Sequence, residues 1–315
     1  MTEPRRDGQI LEWLLAGDPS VRWQVMRDLT NECPEVTASE RHRIASSGWG
    51  RQLLDERTGD GRWGGGLYSP KWTSTTYTLL LLRRLGLDPQ NEAARESARL
   101  LIDKGRWVDG VVVFWRSTDA VDLCVAGLVL SIVAYFGIRD DRVDEMVRQL
   151  ESRQRADGSW FDIDDVANKP FHTAIAVLEG LEEYRRQVPD VPAVHKMIDA
   201  GQELLLSHHL FRSTSSGEVI DPAWTRFSFP PRWHFDVLRA LDHFRAAGAP
   251  YDARLDDALD LVQRRRQPDG TWRLQNNHPG RIWFDLEQTN RPSRWNTLRA
   301  LRVLSRYRPR GMSTG

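Results

Sequence analysis

The sequence of 315 residues predicts an all-α protein: an α/α toroid with six inner and about six outer helices, in one domain spanning 1–315 with a frayed tail from about 308. Three observations predict it. A short Asp-Gly-x-Trp pattern recurs, apolar helical runs alternate with amphipathic ones, and strand-like alternation is almost absent, Val111-Val-Val-Phe114 being the single candidate.

The recurring pattern is Asp60-Gly-Arg-Trp63, Asp157-Gly-Ser-Trp160 and Asp269-Gly-Thr-Trp272, with Lys104-Gly-Arg-Trp107 as a degraded copy. Each follows a helical segment and reads as its stop: Gly tolerates a left-handed backbone, Asp favours the turn, and Trp folds back onto the exposed helix end. After each stop a loop leads into a more apolar helix. These helices are expected to begin near Arg22-Trp23, Thr73-Ser74, Asp122, His172, Arg232-Trp233 and Arg294-Trp295. Successive starts lie about 50 to 60 residues apart, the length of a helix pair with its loops. Val143–Leu150 and Arg254–Val262 place apolar residues at i, i+3, i+4 and i+7, which marks one buried face. Inner helices apolar nearly all round and outer helices with one stripe form two concentric layers. The loops 58–74, 159–170, 212–231 and 275–292 would then crowd one mouth of the ring.

Composition narrows the function. Lys+Arg and Asp+Glu are both 44, so no one-signed field favours nucleic acid or an anionic membrane surface. The apolar stretch Val125–Ile138 is too short to span a bilayer and reads as a buried helix. Two cysteines exclude a disulfide framework and suit a cytoplasmic location. Thirteen Trp is about three times ordinary usage, and several of them fall in the recurring Asp-Gly-x-Trp pattern. Phosphate-loop, dinucleotide, zincin and serine-hydrolase motifs are all missing, so no nucleotide cofactor is expected.

Gln154-Arg-Ala-Asp-Gly-Ser-Trp160 resembles the repeat shared by squalene/terpene cyclases and protein prenyltransferase β subunits. Val121-Asp122-Leu-Cys124 with Gly127-Leu128 is similar to the Asp-x-Cys element of the prenyltransferase β subunits. Pro170-Phe171-His172-Thr173 with Gly180-Leu181 is similar to their Phe-His-Thr element. The resemblance implies that Asp122, Cys124 and His172 bind Zn²⁺ with one position open, and that Arg116 contacts an anionic substrate group. Asp119 stands where that family carries a lysine. Convergence of Asp122 and Cys124 requires Asp122 at the helix entry rather than inside it. The alternatives are that Asp122 caps the helix, Cys124 packs as a small hydrophobe and His172 is satisfied by backbone.

Asp162-Ile-Asp164-Asp165 matches the acid motif of class II terpene cyclases. That resemblance makes Asp164 a general acid with Asp162 and Asp165 beside it, against the alternative of a solvated acidic loop. Trp115, Trp160, Phe161, Trp233, His234, Trp283 and Trp295 are the expected wall of the substrate site. Two functional readings therefore stand: a zinc enzyme performing alkyl or prenyl transfer on an isoprenoid-like molecule, or a metal-free cyclase. A non-catalytic binding toroid is the third.

Overall fold

A computed structural model describes residues 7–160 and 170–308. In chain order the helices are α1 (Asp7–Leu15), α2 (Pro19–Asp28), α3 (Pro34–His42), α4 (Gly48–Asp55), α5 (Thr75–Leu85), α6 (Glu92–Lys104), α7 (Leu123–Tyr135), α8 (Asp141–Ser152), α9 (Pro170–Gln187), α10 (Pro192–Ser207), α11 (Val237–Ala246), α12 (Asp256–Arg264) and α13 (Arg294–Tyr307). Helices α2, α5, α7, α9, α11 and α13 pack in that order around a ring, and the others flank them outside. Closure is direct: α13 packs on α2, while Trp23 of α2 donates its indole N–H to the Leu85 carbonyl at the end of α5. The chain is an all-α toroid, as the two patterns of hydrophobicity predict.

The predicted stops work through one hydrogen bond each. The indole N–H groups of Trp63, Trp160 and Trp272 donate to the carbonyls of Leu53, Leu150 and Val262, at 2.6, 2.8 and 2.7 Å. All three acceptors lie ten residues upstream, in the last turns of outer helices, where carbonyls lack helical partners. Gly61, Gly158 and Gly270 have φ between +81° and +83°. These glycines sit in the turn after the helix rather than at its cap. Trp107 of the degraded copy reaches Ile102, only five residues back, and Gly105 keeps a negative φ.

Helix α7 is buried from Leu123 to Ala134 and packs on α9 through two glycines. A Cβ on Gly127 would lie 2.6 Å from Ala176 backbone, and one on Gly180 would lie 2.6 Å from the Gly127 carbonyl. Two inner-helix starts differ from expectation. Asp18 caps α2 with Pro19 in its first turn, four residues before Trp23. Asp236 caps α11, so Arg232, Trp233 and His234 belong to the preceding loop, with Arg232 at φ +56°. Val111–Val113 is a strand, paired antiparallel with Arg106–Val108, and Trp272–Arg273 forms a second small ladder with Pro292–Ser293.

Three predicted loops do meet at the mouth formed by the inner-helix N-termini. The Trp72 indole donates to the Pro279 carbonyl, the Trp283 indole to Thr78 Oγ1, and the Gln275 N–H to the Phe227 carbonyl. No helix among the described residues is long and apolar enough to cross a membrane.

Candidate functional site

At the mouth, aromatic and histidine rings form one continuous cluster. Trp233 stacks on His234 with ring centroids 3.7 Å apart, and His234 stacks on His278 at 3.7 Å. His172 meets Trp233 and His234 edge-on, at 5.1 and 5.8 Å. Trp72 joins through His234 and through Tyr77, whose ring stands perpendicular to it at 4.8 Å. Burial, reinforced by the neighbouring His278 and His172, pushes the His234 imidazole down to about 2. Burial likewise pushes His278 down to about 4. Both rings are neutral at pH 7 and behave as flat, weakly polar packing surfaces. Beside Trp72 and Arg232 lies a cavity of about 20 Å³, room for roughly one water, lined by Ile282, Trp283 and Phe284.

Open space lies beside it. Tyr68 stacks on Phe114 at 5.7 Å and meets Trp115 edge-on. These rings form the floor of a cavity of about 800 Å³ between residues 62–69 and the β-hairpin, rimmed by Arg62, Lys104, Arg106 and Arg116. Arg106 pairs with Asp119, and Arg62 faces Asp60 at 3.7 Å. Lys104 and Arg116 have no carboxylate partner among the described residues, so the rim keeps a positive surplus. The floor continues inward: Tyr77 and Tyr68 hydroxyls are 3.0 Å apart. Burial, then Tyr68, then the charges of Cys124 and Asp122 raise the Tyr77 phenol, so it stays protonated and can donate a hydrogen bond.

The proposed zinc ligands occupy the two helix entries but do not form a ligand set. Asp122 is at the entry of α7, as convergence demands, yet its Oδ1 caps the helix by accepting the Val125 N–H at 2.8 Å. Cys124 lies against α9 and directs its thiol to the His172 carbonyl, with sulfur and oxygen 3.8 Å apart. His172 Nδ1 accepts the Phe235 N–H at 2.7 Å. That bond engages Nδ1 with the backbone ahead of α11. No group of three His, Cys, Asp or Glu among the described residues is placed to hold a metal ion.

The other expected site residues divide clearly. Trp115 and Arg116 line the open cavity. Trp233, His234 and Trp283 belong to the packed mouth. Trp160 is fully buried, with its indole N–H on the Leu150 carbonyl at the end of α8. Trp295 is also buried, stacked 4.1 Å from Phe229. Phe161, Asp162, Asp164 and Asp165 lie outside the described residues.

Sequence reasoning missed Tyr68, Tyr77, Phe114 and Arg106 as site residues; Arg106 and Phe114 were read only as parts of a helix stop and a strand. It also missed charge inside the ring. Arg239 makes a bidentate pair with Glu179, 2.9 Å on each side, with Arg84 on the same carboxylate at 2.7 Å. The signal was available: Leu238-Arg-Ala-Leu241 and Leu298-Arg-Ala-Leu301 both place an arginine within an apolar run.

No protein-family model matches the chain, and no curated protein matches it. Among solved structures, a protein from Actinoplanes is 17% identical with a TM-score of 0.46, over 91% of this chain and 89% of that one. A variant of the type II terpene cyclase MstE from Scytonema, in complex with geranylgeranyl dihydroxybenzoate as substrate, is 14% identical with a TM-score of 0.46, over 92% and 87%. The apo form of MstE gives 14% and 0.46, over 91% and 88%.

Proposed function

We propose that this toroid is an enzyme acting on an apolar, isoprenoid-like small molecule that carries an anionic group. The observation that supports the reading most is the cavity holding Trp115 and Arg116: an aromatic floor beneath a cationic rim, with space of about 800 Å³. Such a site suits a molecule with an apolar body and a charged end. The chain lies on Tyr68, Phe114 and Trp115, and the anion meets Arg116, Lys104 and Arg106 through charge-assisted hydrogen bonds. The Tyr77 hydroxyl donates to the Tyr68 hydroxyl and so holds the Tyr68 ring in place behind the floor.

The chemical step in this reading is protonation of the apolar chain by Asp164, assisted by Asp162 and Asp165. The acid motif suits it, since carboxyls crowded in a dry site resist ionisation. Asp165 precedes α9 by five residues in the sequence, and His172 in the first turn of α9 borders the mouth. No step is assigned to zinc.

Farnesyl diphosphate and farnesol form the test pair, one anionic and one neutral, measured by titration calorimetry. Arg116→Ala should weaken farnesyl diphosphate binding about 10- to 100-fold, as expected for one lost charged hydrogen bond, and leave farnesol unchanged. Trp115→Ala should weaken both. Unchanged affinities in both variants would overturn the proposed site. Asp164→Asn should keep binding and abolish conversion; retained conversion would remove Asp164 as the acid.

A further inference from the structure

The opposite end of the ring, where the inner helices finish, encloses a cavity of about 370 Å³. Its described wall carries nine arginines against five carboxylates. Those carboxylates are already committed. Glu179 takes Arg239 and Arg84, Asp242 takes Arg302 and Arg245, and Asp28 takes Arg27 and Arg302. Glu183 takes Arg83 and Arg186, and Glu182 takes Arg185. Arg299 is the most loosely paired: Asp236 and Asp242 each stand 3.8 Å away with no hydrogen bond to it, and its hydrogen bonds go to the Ser228 carbonyl and Asn296. Arg41 also bonds only to carbonyls and the Tyr135 hydroxyl. The Nε atoms of Arg83 and Arg84 are buried without a hydrogen-bond partner.

Helix ends explain part of this surplus. Carbonyls at helix C-termini carry partial negative charge and attract the arginines of the last turns of α2, α5, α9 and α11. They do not explain Arg239 and Arg299. Arg239 lies in the first turn of α11 and Arg299 in the second turn of α13, near the positive ends of their dipoles. Cations buried there, facing one another, need compensation from elsewhere. Burial and the like charges of Arg239, Arg83 and Arg299 outweigh Glu179 and bring the Arg84 guanidinium down to about 9. The cavity reaches solvent, since the rim residues Arg27 and Arg186 are 45% and 49% exposed.

We propose that this cavity binds a small oxyanion of the phosphate class, seated among Arg83, Arg84 and Arg299. The site is separate from the aromatic groove and does not depend on the function proposed for it. Tetrahedral oxyanions match guanidinium geometry, accept several hydrogen bonds at once, and add the negative charge that the wall lacks.

The test is thermal unfolding and titration calorimetry of the full chain with inorganic phosphate, inorganic diphosphate and phenyl phosphate, each against sodium chloride at matched ionic strength. Phosphate or diphosphate at 100 times its Kd should raise Tm by about 4 °C, with a stoichiometry near one. An equal shift with phenyl phosphate supports the phosphate end of a larger molecule as the source; a shift with the inorganic ions alone supports a free ion. Arg299→Gln should remove most of the shift, whereas Arg116→Ala, in the other groove, should retain it. The wild-type chain alone is decisive if Arg299→Gln does not fold, because no shift beyond the chloride control overturns the proposal. Loss of the shift in Arg116→Ala with retention in Arg299→Gln overturns it too, by moving the ion to the groove.

Discussion

His234 and His278 are buried bases whose neutral form the fold requires, and this has a consequence for stability. In the folded chain their protons arrive only near pH 2 and pH 4, whereas in the unfolded chain they arrive near the ordinary value of about 6.5. Below pH 6.5 the unfolded state therefore binds more protons. Stability falls as pH drops through 6.5 toward 4, and it is level above 7. Each ring contributes a slope of at most about 1.4 kcal/mol per pH unit, and roughly half that once partial solvation is allowed for. The deeply paired carboxylates do not confuse this window. Burial pushes Glu179 and Asp242 up, but their arginines outweigh it and hold both below the usual carboxylate range, so their contribution is lost only in stronger acid. Urea midpoints measured from pH 7.5 to pH 5 should decline in the wild type. They should decline distinctly less in the double variant His234→Gln, His278→Gln. A flat wild-type profile would mean that the rings are not held neutral.

Between helices, the tightest constraint is the glycine contact of α7 with α9. A methyl group at Gly180 would sit 2.6 Å from the Gly127 carbonyl, and backbone cannot yield there without moving one inner helix. Gly180→Ala should cost about 1–3 kcal/mol, the range for overpacking, read from urea unfolding. Gly59→Ala, with open space around its Cβ, should stay within about 0.5 kcal/mol. Equal effects would show that the close approach is not a constraint. The helices themselves were largely legible in the sequence, because each stop is local: Asp, Gly and Trp within four residues close a turn against the helix just completed. The entry to α11 was misread for the same reason. Arg232-Trp233 repeats the pairs at 22–23 and 294–295, but here Asp236 supplies the cap and the pair falls in the loop. The site was legible only in part. Trp115 and Arg116 face the open cavity, while Asp122 and His172 reach the right place with their polar atoms already engaged by backbone. A motif specifies which residues arrive at a helix entry; the hydrogen bonds formed on arrival depend on residues 63 positions away, such as Phe235.

At the scale of the whole molecule, closure of the ring is what fixes the interior, and α13 is the element that closes it. Arg302 of α13 bonds to Asp242 of α11 on one side and to Gln24 and Asp28 of α2 on the other, at 2.8 and 3.0 Å for the last two. Trp295 and Leu298 are buried between the same neighbours, and Thr297 accepts the Trp272 N–H. In an open superhelix the last hairpin touches one neighbour only, so its loss costs a single interface and the rest stays folded. In this ring, loss of α13 exposes two interfaces and removes a buried cation that Asp242 and Asp28 share, leaving Arg245 and Arg27 as their remaining partners. A chain ending at Asn290 should therefore lose its cooperative thermal transition by circular dichroism and expand on gel filtration, rather than melt a few degrees lower. A sharp transition close to that of the full chain would indicate hairpins that stand independently. The inward-facing arginines would then lack the enclosed setting that makes their surplus charge matter.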